Sequence, residues 1–235
     1  MSLRLDWTEF PARREVEAHP GVFNAERFPL GLLREAIQRS QPLFRGWPFL
    51  MFDPHDRQRT RVVKGGLDTV VDNRSGGSSG FAMPRVEQWT LLPSGTLLHR
   101  TALVEDCAPA EKSILRIADT VYHVAEAVGS LWRLYGALGV PDDEAVTIRF
   151  TYRGMAGRQL MDRYGARLFE GCTAEEDEVV AGRTETLRLW RSTDVLIVAE
   201  LCRDIFGEFQ WTAELAPLRD QIAQFLGRDL LAGVS

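Results

Sequence analysis

No run in this chain approaches the roughly 18 consecutive apolar residues that a membrane-spanning helix needs. Cysteine is scarce as well. Cys107, Cys172 and Cys202 lie far apart with no C-x-x-C spacing, which argues against the common structural zinc sites and a redox dithiol. Three dispersed thiols fit a reduced, cytoplasmic protein. Met1–Phe10 carries Arg4, Asp6 and Glu9 around no apolar centre, so it does not read as a secretory signal. Net positive charge is also missing: the formal charge is −5, which supplies no global pull toward nucleic acid or acidic membranes. No membrane partner, no metal and no cofactor is expected.

The signatures of common catalysts are absent too. Lys64-Gly65-Gly66 is only superficially like a phosphate loop, because the full G-x-x-x-x-G-K-[ST] pattern does not occur. No G-x-G-x-x-G follows a strand, and there is no G-x-S-x-G elbow. None of the four histidines, His19, His55, His99 and His123, stands three or four residues from another histidine or a cysteine. His55 falls in a polar turn, and His123 is expected at a surface or boundary. The weak catalytic candidates that remain are His99, Glu105 and Asp106, an imidazole and two carboxylates on and just beyond one strand. A solvated strand end is the plainer reading of the two acids, since a metal would need further oxygen ligands.

What is present is a well-patterned core. Hydrophobic residues make up 45% and charged residues 26% of 235 residues, ordinary globular usage for one large domain or two small ones. Ile114, Ile117, Val121, Val124, Val128, Leu131, Tyr135 and Leu138 recur at steps of three and four. That spacing predicts one long helix over about 112–138, ended by Gly139 and Pro141. Ala118, Ala125 and Ala127 flank the seam, so another backbone can approach closely.

Two strands are predicted at Val86–Leu92 and Thr96–Val104, joined by a Pro93-Ser94-Gly95 turn. Short strands are expected at Arg61–Lys64 and Leu67–Val71, and longer ones at Ala145–Tyr152 and Glu178–Trp190. Helices are expected near Leu30–Arg39, from about Thr193 and from about Thr212. The order predicts an α+β fold, a largely antiparallel sheet packed against a long central helix and two C-terminal helices. The expected organisation is an irregular N-terminal arm over 1–28 and a single domain over 29–235. A flexible loop is expected at 72–80, where DNRSGGSSG crosses from Asp72 to Gly80.

Arginine is the best positive hint of function. Arg149, Arg153, Arg158, Arg163 and Arg167 are opposed only by Asp162 before an acidic run of Glu170, Glu175, Glu176, Asp177 and Glu178. Arg149 and Arg153 are four apart on a predicted strand, hence on one face and about 13 Å apart. Arg149, Arg153, Arg158 and Arg163 are therefore the candidate ligand-binding residues, for nucleic acid or a small anion.

The landmarks RGWPF (Arg45–Phe49), W-x-L-x-x-S-G-x-L-x-H (Trp89–His99), ALVED (Ala102–Asp106), VTIRFTYRGMAGRQL (Val146–Leu160) and FGEF (Phe206–Phe209) stand in a suggestive order. Over roughly residues 30–210 the chain resembles the region that follows the Schlafen-type putative DNA-binding domain in some bacterial proteins. The segment before residue 30 is too short for that domain, so the resemblance implies no catalytic residue. It implies a sensor or accessory module of a bacterial regulatory or phage-defence system. The expectation is a non-enzymatic binding or assembly module with a protein partner or a second copy of itself. The alternative is a hydrolase or nuclease built on His99, Glu105 and Asp106.

Overall fold

The computed structural model describes residues 5–44, 46–53, 56, 59–74, 85–107, 113–162 and 171–227. His55, Arg163 and residues 75–80 of the expected loop lie outside them. A seven-stranded, wholly antiparallel sheet carries helices on one face. In chain order its strands are β1 (Arg13–Pro20), β2 (Thr60–Val63), β3 (Gly66–Asn73), β4 (Arg85–Leu91), β5 (Leu97–Ala102), β7 (Ala145–Arg153) and β9 (Glu178–Thr186). They lie side by side as β2-β3-β4-β5-β1-β7-β9. Two three-residue strands, β6 (Ile114–Arg116) and β8 (Gln159–Met161), form a separate parallel pair. The α+β architecture expected from the sequence is the one observed.

The N-terminal region is not an irregular arm throughout. Arg13–Pro20 is β1, paired with both β5 and β7 near the middle of the sheet. Its inward positions are Arg14, Val16, Ala18 and Pro20, all buried, while Arg13, Glu15, Glu17 and His19 alternate outward. With only two aliphatic residues on the inward side, the period-two signal is faint in the sequence. Pro20 sits at the strand's last position, where its missing N–H costs least.

Turn chemistry sets the register of the hairpins. Lys64 and Gly65 both adopt positive φ between β2 and β3, the conformation a two-residue hairpin turn needs. Gly95, with φ of 85°, closes the β4–β5 turn, and Leu92 N donates to Thr96 O. An added Cβ on Gly95 would stand 2.8 Å from the Phe28 ring, so glycine is required there twice over.

The helices are α1 (Leu30–Arg39), α2 (Val104–Cys107), α3 (Ile117–Ala137), α4 (Leu187–Ser192), α5 (Asp194–Gly207) and α6 (Leu215–Gly227). The seam residues from Ile117 to Tyr135 lie on α3 and Leu138 caps its C-terminus, while Ile114 belongs to β6. All eight are buried. Indeed α3 is buried nearly all round, as a helix enclosed by a sheet on one side and other helices on the rest must be. The run expected as one strand, Glu178–Trp190, divides into β9 and α4. Thr186 makes the break, its hydroxyl accepting from Leu189 N as an N-cap. The expected strand to Val104 likewise ends at Ala102, and Glu105 and Asp106 sit on the short helix α2.

Candidate functional site: two faces of one sheet

Register places polar residues where a core would ordinarily be apolar. Across the inner, helix-covered face, Glu87 lies opposite Thr101, Thr101 opposite Arg14, and Arg14 opposite Tyr152. In the next row Trp89, His99, Val16 and Phe150 are neighbours. Arg14, Glu87, His99 and Tyr152 are all buried.

Glu87 is the hub of one group. Its Oε2 accepts from Arg85 Nε at 2.9 Å and Arg85 Nη2 at 2.7 Å, and His99 Nε2 lies 3.4 Å away. Its Oε1 accepts from Met51 N at 3.3 Å. Burial pushes the Glu87 carboxyl upward, but Arg85 and His99 together outweigh burial and hold it below its usual 4.5. Arg85 Nη2 also donates to the carbonyls of Pro48 and Phe49, and Trp89 Nε1 donates to Met51 O. The segment from Pro48 to Met51 is therefore a strap under the core, held by side chains of β4 rather than by a strand ladder. Its Phe49 ring packs against His99 at 4.7 Å and His123 at 5.8 Å between centroids. His123 is not at a surface or boundary: it is 4% exposed and also faces Phe150.

Glu105 anchors the second group. Its Oε1 accepts from Arg116 N at 3.0 Å, at the entry to α3, and its Oε2 lies 3.8 Å from Arg14 Nη2. Arg14 in turn has its guanidinium 6.0 Å from the Tyr152 ring centroid. Burial pushes the Tyr152 phenol well up, so it stays an O–H donor at neutral pH. Beside this group, Arg158 is a structural tie. It donates to Gly154 O at 2.7 Å, to Ile114 O at 3.0 Å and to Asp106 Oδ1 at 2.5 Å.

The three weak catalytic candidates are thus engaged by different partners: His99 by Glu87, Glu105 by Arg116 and Arg14, Asp106 by Arg158. Among the described residues, no hydrogen bond or ion pair joins His99 to either acid. Among the described residues, no group of three or more His, Cys, Asp or Glu side chains is placed to hold a metal ion.

The outer face differs. On β5, β1, β7 and β9 it presents Arg13, Arg100, Arg149 and Arg153 with Glu15, Glu17 and Glu178. One carboxylate, Glu15, gathers three guanidiniums: Arg13 at 2.8 Å, Arg100 at 3.3 Å and Arg153 at 3.2 Å. Arg153 also pairs with Glu178. Arginine contacts hold Glu15 below the usual carboxylate range despite the opposing effect of partial burial. Arg149 is exposed and lies across from Glu17. Over β4 this face is covered by the N-terminal segment, where Trp7 Nε1 donates to Gln88 Oε1.

Of the four arginines singled out in the sequence, Arg149 and Arg153 therefore share the outer face, Arg158 is buried, and Arg163 is outside the described residues. Sequence reasoning missed Arg13, Arg14, Glu15, Glu87 and Arg100. The signal was the alternation of Arg13–Pro20, which places charged residues on both faces of one strand. Comparison with protein-family models, curated proteins and solved structures finds no match for this chain.

Proposed function

We propose that this protein is a non-enzymatic binding module whose recognition surface is the open outer face of the sheet, and that it takes the phosphate backbone of a nucleic acid there. The observation that carries the reading is the crowding of Arg13, Arg100 and Arg153 on one carboxylate. Arg13 and Arg153 stand directly opposite each other on β1 and β7, a like-charge pairing that costs stability unless an anion sits between them. Glu15 supplies part of that compensation. On these four strands four guanidiniums face three carboxylates, so an excess of positive charge remains in a chain that is otherwise acidic. Lys64 and Lys112 are the only lysines; the cations are arginine almost throughout, the side chain whose planar fork fits phosphate oxygens.

The contacts are few and electrostatic, so binding is weak and falls as salt rises, with a slope set by the small number of phosphates neutralised. A serial dilution of protein against a fluorescein-labelled 20-nucleotide RNA, read by anisotropy at several salt concentrations, tests it. The expected result is binding at low salt whose logarithm falls linearly with the logarithm of salt. Changing Arg149 and Arg153 together to Ala should lower both affinity and slope. No binding at low salt would sink the reading and favour protein–protein assembly through the same face. The same surface would suit the sensor or accessory role that the Schlafen-associated resemblance implies.

A further inference from the structure

The inner face holds a second arrangement, independent of the surface just proposed. Arg14 Nε and Nη2, Glu105 Oε2 and Tyr152 Oη are buried and have no hydrogen-bond partner among the described residues. Arg14 is 6% exposed, and Glu105 and Tyr152 are wholly buried. Proteins seldom leave buried donors and acceptors unmatched, because each costs much of its lost hydration. Here donors and an acceptor collect in one place. At 3.8 Å the Arg14–Glu105 contact is too long to be a hydrogen bond. Arg14 and Tyr152 are neighbours across the β1–β7 ladder.

We propose that Arg14, Glu105 and Tyr152 form a binding site for a small neutral molecule that carries a hydrogen-bond acceptor beside a donor, as a carboxamide or the edge of a nucleobase does. The acceptor takes Arg14 N–H and Tyr152 O–H; the donor reaches Glu105 Oε2. Charge selects the neutral class. Arg14 and Glu105 already balance each other, and Asp106 is balanced by Arg158, so an ionic ligand would bring an uncompensated charge into the core. The other oxygen of Glu105 is held by Arg116 N, which fixes the carboxylate and leaves Oε2 to accept.

The test follows the Nε–Hε resonance of Arg14 in the full chain, assigned by loss of its signal in an Arg14→Lys variant. Acetamide and uracil are the neutral probes; acetate and methylammonium are the charged controls. The proposal expects saturable shifts with acetamide or uracil and none with the ions. Tyr152→Phe, which removes one donor and keeps the ring, should weaken the neutral probes roughly tenfold, the worth of one hydrogen bond to a buried partner. Because Arg14→Met alone leaves a buried carboxylate, the double variant Arg14→Met/Glu105→Met serves as the folded control. Replacing both members of a buried pair is tolerated, and uracil binding measured calorimetrically should be lost. Three results would overturn the proposal: no response to either neutral probe, an equal response to acetate, or undiminished uracil binding by the double variant. Any of them would make the three residues a purely architectural pair with a nearby phenol. None would touch the RNA titration on the opposite face.

Discussion

The two faces of this sheet use the same two residue types to opposite ends. Inside, the buried Glu87 meets the half-buried Arg85, and their hydrogen bonds pin a strap whose described residues join no strand ladder. Outside, Glu15 and three arginines meet at a wet surface. Buried, a carboxylate and a guanidinium become architecture, since losing either strands the other without water. Partly exposed, they stay within reach of water, so each pair adds little to stability by itself. The same comparison separates the two inner groups, because every oxygen of Glu87 is used and one of Glu105 is not.

The sharpest way to break this contrast is Glu87→Ala. It strands Arg85 beside His99 and releases Met51 N, and should lower stability by roughly 3–5 kcal/mol, as breaking a buried pair does. Denaturant unfolding with an unchanged slope would report it. Arg14→Met should cost less, about 2 kcal/mol, because Glu105 keeps Arg116 N and the N-terminal end of α3. Equal losses from the two variants would erase the distinction between the inner groups.

Acid gives a third handle. The carboxyl of Glu87 is depressed in the folded state, so its contribution is complete above the usual 4.5 and is lost as pH falls through its lower folded value. Melting temperature should therefore drop below about pH 4.5, and Glu87→Gln should flatten that limb because it removes the titrating group. An unaltered acid limb in Glu87→Gln would assign acid sensitivity elsewhere. The smallest effect belongs outside: Arg153→Ala should change stability by about 1 kcal/mol or less, and less still in high salt. A large loss there would mean that the outer cluster is structural after all.

Much of this plan was legible in the residues. The three-four spacing of α3 and the Pro93-Ser94-Gly95 turn are local signals; the turn stands where its residues put it, and the helix does too except at its start, where Ile114 belongs to β6 and α3 opens at Ile117. Sheet position is not local. Arg13–Pro20 has two aliphatic residues and four charged ones, and it becomes a central strand only because β5 and β7 supply its hydrogen bonds. The same strand brings Arg14 inward and Glu15 outward, so missing it hid a member of each group. His123 went astray for a related reason. Its own neighbours in sequence suggest a boundary, whereas Phe49, His99 and Phe150, which enclose it, arrive from three distant segments. Arg149 and Arg153 were placed on one face correctly because strand geometry alone determines that. Glu15, which pairs with Arg153, and Glu17, which lies opposite Arg149, come from across the ladder and could not be read from spacing.

The most direct test of the division between faces is to record the arginine Nε–Hε resonances of the whole protein while a short single-stranded RNA is added at low salt. Arg13, Arg100, Arg149 and Arg153 are expected to shift together and return as salt is raised, while Arg14, Arg85 and Arg158 stay fixed. Shifts confined to the buried arginines, or no shifts at all, would contradict that division.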